Sequence, residues 1–376
     1  MPDRQSEHIG TATRLPKPEP DSTPDGRFDV SRLDYDLPPD RIAQQPCTPR
    51  DSARLLAVER TSKNLADSRI QDLPHWLRSG DLLVLNNTQV LPAKFTLRRQ
   101  TGGRIEGLFI REHQPGRWEV MLRGASRVSP GETLTFAGRR CESSVTARCN
   151  LGRGRWEVDV TPPEPATALL DRVGRAPLPP YIHRQPETDV RDNEDRRRYQ
   201  TVFANRPGAI AAPTAGLHFS NELFVQLRQG GVQTAAVTLH VGMGTFAPVT
   251  VDSLADHPMH EEWFEMTDDA ANRINACRAR GGRVIAVGTT AVRVLESRAD
   301  DSGAVQSGTG QTQLFIYPPY RFKVVDALLT NFHLPRSTLL ALVMAFGGEE
   351  LMRGAYLHAV NDGYRFYSYG DAMLVV

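Results

Sequence analysis

The chain has 376 residues, of which 40% are hydrophobic and 24% charged, with 45 basic and 44 acidic side chains for a net charge of +1. At roughly 100–200 residues per domain this suits two or three domains with a large core, and it excludes a disordered chain, a collagen and a small disulfide scaffold. Four of the 45 basic residues are lysine and 41 are arginine, which suits phosphate recognition but is equally the mark of a composition bias.

Residues 1–26 are rich in Pro, Asp, Ser and Thr and are expected to form a disordered leader without the apolar segment of a secretory signal. Leu33, Tyr35 and Leu37 alternate like a short strand closed by Pro38-Pro39. Residues 53–60 suit a short helix or a strand equally. The run Leu82-Leu83-Val84-Leu85 reads as a buried strand of a parallel sheet. It ends in Asn86-Asn87-Thr88, which fits either a ligand crevice at a strand end or a capped turn.

Between 93 and 160 the pattern changes. Extended segments at 93–97, 104–110, 118–122, 132–136 and 156–160 alternate with Gly- and Pro-containing turns, the signature of a small antiparallel barrel or sandwich. Helices return at 163–173, 192–203 and 220–228, the last capped by Ser220 and stopped by Gly230-Gly231. A strand at 235–239, a helix from Thr267 or Asp268 to Arg280, a strand at 283–287 and a helix at 289–297 follow. This alternation predicts an α/β fold: a mostly parallel-sheet domain formed by 27–89 and 161–376, with an antiparallel β-barrel domain inserted at 90–160. Residues 298–312 read as a polar loop, and Ser337 caps an apolar helix at 338–346.

No helix-length apolar run spans a bilayer; the longest, 339–348, is too short. The four cysteines, Cys47, Cys141, Cys149 and Cys277, form no CxxC pair, so free thiols and a cytoplasmic location without a membrane partner are expected.

Six stretches carry candidate chemistry. The small-residue segment 208–219 contains Thr214 and His218 and runs into a helix start. His240 stands at a strand end before Gly242-Met243-Gly244, where a histidine serves catalysis or simply a satisfied core. His257, His260, Glu261 and Glu262 lie within six residues. They suit acid–base chemistry or nucleoside hydrogen bonding, and lack the HExxH or cysteine pattern of a zinc site. Arg293 and Glu296, at i and i+3, either pair together or free Arg293 to clamp a carboxylate. The segment 313–347 sets Asn331 and His333 beside aromatics, as a nucleoside pocket does. Tyr364 to Met373 alternates aromatics with Arg365 and Asp371, suiting a strand or a base-stacking surface.

Together the segments 81–93, 177–182, 199–219, 238–246, 257–262, 283–296, 315–337 and 364–373 closely resemble the S-adenosylmethionine:tRNA ribosyltransferase-isomerase family of queuosine biosynthesis. The resemblance covers the chain from about Asp34 to Met373. It departs from the usual pattern at Gln89 and Lys94, where arginine is common, at Ala291 for serine and at Pro319 for glycine. It implies an α/β domain with an inserted barrel. It also implies an enzyme that moves and isomerises the ribosyl group of S-adenosylmethionine onto 7-aminomethyl-7-deazaguanine at the tRNA wobble position. The products would be epoxyqueuosine in tRNA, adenine and methionine. S-adenosylmethionine is then a co-substrate, and neither a metal nor a redox cofactor is expected.

On that chemistry His240 or His333 is the candidate base, and His218 or Asp371 the group that protonates or orients adenine. Arg293 is the candidate anchor for the methionine carboxylate. Asn86, Asn87, Thr214, Thr289 and Asn331 are candidates for binding sugar hydroxyls or base edges, with His257, His260 and Glu262 in support. Arg196, Arg197 and Arg198 are candidates for tRNA phosphates, against the plainer reading of ion pairs with Asp192, Glu194 and Asp195.

Overall fold

The computed structural model describes residues 28–137, 141–184, 191–242 and 249–376; the leader and Met243-Gly244-Thr245-Phe246 lie outside them. The chain enters through a 3-10 turn at Val30–Leu33, so residues 33–37 are not the strand their alternation suggests. Asp29 accepts a hydrogen bond from the Ser31 amide at 2.7 Å and starts the turn instead. Strands β1 (Arg54–Val58) and β2 (Leu65–Arg69), a single helical turn α1 (Leu73–Trp76), β3 (Leu82–Asn86) and β4 (Thr88–Val90) follow.

Six strands then form a closed antiparallel barrel: β5 (Lys94–Arg98), β6 (Arg104–Gln114), β7 (Arg117–Arg123), β8 (Thr133–Phe136), β9 (Ser144–Gly152) and β10 (Arg155–Thr161). All five expected segments are strands here. β9 was not anticipated, because only Val145 and Ala147 of its nine residues point into the core. Trp118 packs edge-on against Phe95 and Phe109 at the barrel centre. Helix α2 (Ala166–Val173) lays Ala166, Leu169 and Leu170 on the same core.

The chain returns through α3 (Asp192–Arg198) and β11 (Arg206–Ala209), which pairs in parallel with β4 as a separate two-stranded sheet. α3 stops at Arg198, short of the expected 203. Then come α4 (Asn221–Gln229), β12 (Gln233–Leu239), β13 (Glu262–Met266), α5 (Asp268–Ala279), β14 (Val284–Val287) and α6 (Thr289–Arg298). β15 (Gly308–Thr312), β16 (Ala327–Asn331), α7 (Thr338–Gly347), α8 (Glu349–Asn361) and β17 (Ala372–Val375) complete the fold. The caps read from sequence hold: Ser220, Thr267 and Ser337 each accept from a backbone amide three residues on.

The main sheet has nine strands in the order β15-β13-β12-β3-β14-β16-β17-β1-β2. Its centre, β12-β3-β14-β16, is parallel throughout. β3 and β14 are buried along their whole length, and alternate residues feed two cores. Leu82, Val84, Val284 and Ala286 face the layer of α5, α6, α7 and α8, while Leu83, Leu85, Ile285 and Val287 face α1 and α4. Burial on both faces is why these strands read as unbroken apolar runs. Two further expectations fail. The loop at 298–312 contains β15, which joins the sheet edge through Glu262↔Thr312 pairing despite its polar sequence. The aromatic tail 364–371 is irregular rather than extended, because its aromatics fold back into the core and the strand begins only at Ala372.

Candidate active site

The carboxyl ends of β3, β12, β14 and β16 meet at one edge of the sheet, the usual location for a ligand crevice in an open α/β fold. Asn86, which closes β3, braces this edge. Its amide nitrogen donates to Leu239 O at 3.0 Å and to Thr290 Oγ1 at 3.1 Å, and its Oδ1 accepts from the amides of Thr88 and Leu239. Asn87 accepts from the Thr238 hydroxyl at 2.7 Å. Both asparagines therefore hold the strand ends together, and neither lines the cavity they frame.

That cavity is small, about 30 Å³, and is walled by Thr214, Gly288, Thr289, Thr330, Asn331, His333 and Leu339 among others. Thr214 opens a 3-10 turn that continues to His218. Gly288 stands at the N-terminus of α6 with φ +89°, a conformation that favours glycine, and no side chain caps that helix. His333 is buried, and its Nε2 lies 2.8 Å from Thr330 Oγ1. Burial pushes its pKa down to about 3, so the ring is neutral at physiological pH. Asn331 donates to His218 Nε2 at 3.1 Å and to Tyr367 O at 3.0 Å, while its Oδ1 is buried without a partner among the described residues. Because the asparagine nitrogen donates, the His218 proton sits on Nδ1. Burial lowers the His218 pKa to about 4 against the opposing pull of the Asp371 charge.

A second chamber of about 30 Å³ shares Leu339 with the first and is lined by His257, Met259, His260, Glu262 and Arg293. Each chamber has room for about one water molecule. Arg293 does not pair with Glu296. It forms a buried ion pair with Glu262 across β13 and donates to Leu314 O and Thr312 O. Glu296 instead accepts from the backbone amides of Lys323, Val324 and Val325. Burial lowers the Arg293 pKa to about 10, which leaves it charged near neutrality. His257 Nδ1 is buried without a hydrogen-bond partner among the described residues, and burial lowers its pKa.

Other expected residues lie elsewhere. His240 lines neither chamber and is stacked on Trp263 at 4.8 Å with its Nδ1 2.8 Å from Thr88 Oγ1. Gly208 packs against this ring so closely that a Cβ there would come within 2.4 Å of Nε2. Asp371 is engaged on both oxygens by the amides of Arg54 and Arg365 and by the Arg365 guanidinium. Arg196 and Arg198 form the i, i+4 ion pairs with Asp192 and Glu194, and Arg197 is exposed. Among the described residues, the ligand atoms close enough to share a metal belong to exposed Asp67 and Asp362 and half-buried His358, far in sequence from His257 and His260. Sequence reasoning did not single out Thr88, Thr330 or Trp263. The hydroxyls next to His240 and His333 were visible as neighbours in the motifs but carried no signal of orientation.

Two neutral buried histidines make stability depend on pH. Both folded-state values lie below the unfolded value of about 6.5, so only the unfolded chain takes up these protons as the pH drops. Their contribution is complete above about pH 6.5 and is lost as the pH falls toward about 4 for His218 and about 3 for His333. Thermal melting followed from pH 7 to 4 is expected to show a falling Tm, and the fall is expected to shrink in His218→Gln. A Tm independent of pH over that range would contradict this.

Residues 30–375 match the family model described as queuosine biosynthesis protein. The chain is 48% identical over 348 residues to the S-adenosylmethionine:tRNA ribosyltransferase-isomerase of Moorella thermoacetica, covering 92% of this chain and 99% of that protein. It is 46% identical over 349 residues to the protein of the same name from Trichlorobacter lovleyi, with the same coverage of 92% and 99%. The crystal structure of the S-adenosylmethionine tRNA ribosyltransferase from Thermotoga maritima matches with a TM-score of 0.52 at 34% identity, covering 92% of this chain and 100% of that one. A match across nearly the whole chain, joined to an α/β sheet with an inserted barrel and a histidine-bearing crevice at its strand ends, identifies the chain as an enzyme of the S-adenosylmethionine:tRNA ribosyltransferase-isomerase family of queuosine biosynthesis.

Proposed function

We propose that the chain transfers and isomerises the ribosyl moiety of S-adenosylmethionine onto 7-aminomethyl-7-deazaguanine at the wobble position of tRNA, giving epoxyqueuosine-tRNA, adenine and methionine. The observation that carries this beyond kinship is the pair of adjoining chambers. One offers neutral His333, the Asn331 carbonyl and the open N-terminus of α6; the other offers Arg293, and Leu339 lies between them.

In this reading the nucleoside half of the co-substrate occupies the first chamber and the methionine half the second, with the sulfonium between them. Chambers of this size must part to admit it. The positive sulfur acidifies the 5′ carbon. His333 takes that proton on Nδ1, its Nε2–H held by Thr330 Oγ1. The electron pair left behind opens the sugar ring, and adenine departs with the electrons of its glycosidic bond and is protonated. The aminomethyl nitrogen then adds to C4′ of the opened, unsaturated fragment and gives up a proton. The electron pair this returns to C5′ bonds to the C1′ aldehyde and closes the carbocycle, and the C1′ oxygen displaces methionine from C5′ as the thioether, closing the epoxide. Asn331, oriented by His218, offers its carbonyl to the adenine amino group. Arg293 holds the methionine carboxylate. Thr214 and Thr289 face sugar hydroxyls, and Asn86 and Asn87 keep the strand ends in register.

Incubation with S-adenosylmethionine and tRNA bearing 7-aminomethyl-7-deazaguanine is expected to release adenine and methionine one-to-one, with the matching mass gain on the wobble nucleoside. Absence of adenine, with a tRNA that a reference enzyme modifies, would overturn the proposal.

A further inference from the structure

A second kind of cavity lies outside the crevice. It measures about 500 Å³ and opens where barrel strands β5, β6 and β7 face residues 175–184 and α3. That is the size of a small-ligand site. Its floor is apolar, formed by Phe95, Leu108, Met121, Leu178 and Ile182. The floor exists because residue 107 is glycine: a Cβ there would stand 2.1 Å from the Phe95 ring. Lys94, Arg104, Arg123, Arg175 and Arg184 surround it.

The charge of this wall differs from that of the chain. Five cations face three carboxylates, in a protein whose total is only +1. Two of the acids are already answered, Asp195 by Arg184 at 2.9 Å and Asp192 by Arg196 at 3.3 Å. Arg123 is exposed and forms no ion pair among the described residues. An adjoining cavity of about 410 Å³ shares Ala176 and adds Arg196 and Arg197. A flat apolar floor inside a cationic rim fits a nucleotide with its base inward and its phosphates at the edge.

The cavity also abuts the crevice. Leu178 and Ile182, on its floor, belong to the same apolar cluster as Ala212, which lines the first chamber. Tyr199 and Tyr369 belong to that cluster too. An RNA loop held over the cavity therefore rests on the same apolar cluster that reaches the first chamber.

We infer that the groove between the barrel and the α/β body is a single-stranded RNA site, in which the 500 Å³ cavity takes an unpaired base flanking the modified nucleotide and Arg104, Arg123 and Arg175 face its phosphates. This rests on the proposed tRNA substrate and deepens it. The specificity it supplies comes from an unstacked base, while the rim cations give salt-dependent affinity.

The test uses the full chain and a tRNA carrying 7-aminomethyl-7-deazaguanine, with binding measured across a series of salt concentrations. Arg123→Ala is expected to weaken binding several-fold and to make the salt slope shallower by about 1. Met121→Trp, which fills the cavity, is expected to weaken binding about tenfold with the slope unchanged, since it removes a base contact and not a phosphate contact. Both should keep the parent melting temperature and affinity for S-adenosylmethionine. Parent-like binding and slope in both variants would overturn the inference while leaving the proposed reaction intact. Failure of the parent chain itself to bind the tRNA would overturn the proposed substrate and the inference with it.

Discussion

Replacing His333 with alanine is expected to lower the rate of adenine release by about 10²–10⁴-fold, the usual contribution of a positioned acid–base group. The argument is geometric. His333 lines the chamber at the strand ends, whereas His240 does not and is engaged by Trp263 and Thr88. His240→Ala should therefore keep adenine release within about tenfold of the parent. Thr330→Val should fall between the two, because it removes the hydroxyl that fixes the His333 ring while sparing the imidazole. Affinity for S-adenosylmethionine, measured by calorimetry, should survive in His333→Ala, which separates a lost base from a lost fold. Parent-rate adenine release from His333→Ala, with none from His240→Ala, would move the base to His240.

The second large effect concerns stability. Glu262→Ala leaves the Arg293 guanidinium, only 7% exposed, without its carboxylate. Stranding a buried charge in this way costs about 3–5 kcal/mol, and a Tm lower by several degrees is expected. The paired variant Glu262→Leu with Arg293→Met removes both charges at similar volume and should regain most of that stability. Activity should not return with it. If Arg293 holds the methionine carboxylate, the paired variant will show a raised KM for S-adenosylmethionine with a smaller change in kcat. A fully stable double variant with parent KM would reduce the pair to a brace between β13 and α6.

Much of this molecule was legible one residue at a time. The unbroken Leu82–Leu85 run announced a strand buried on both faces, and the caps at Ser220, Thr267 and Ser337 marked helix starts, because such signals depend on neighbours within a few positions. The motif residues gave the family as well. What sequence could not separate was bracing from lining. Asn86, Asp371 and His240 are all polar residues in motifs, yet Asn86 and Asp371 are consumed by backbone amides and His240 by Trp263 and Thr88. β15 and the irregular aromatic tail were misread for the same reason: sheet pairing and core burial overrode local composition.

Sequence by itself determined the strand–helix alternation, the inserted barrel and the chemistry available, because periodicity, capping and residue type are local properties. Only the tertiary structure decided which histidine faces the crevice, which carboxylate answers Arg293 and where a cationic groove opens beside the barrel. Those depend on contacts between β3, β12, β14 and β16 and on the docking of residues 175–184 against β5 and β6, which bring together groups separated by tens to hundreds of positions in the chain.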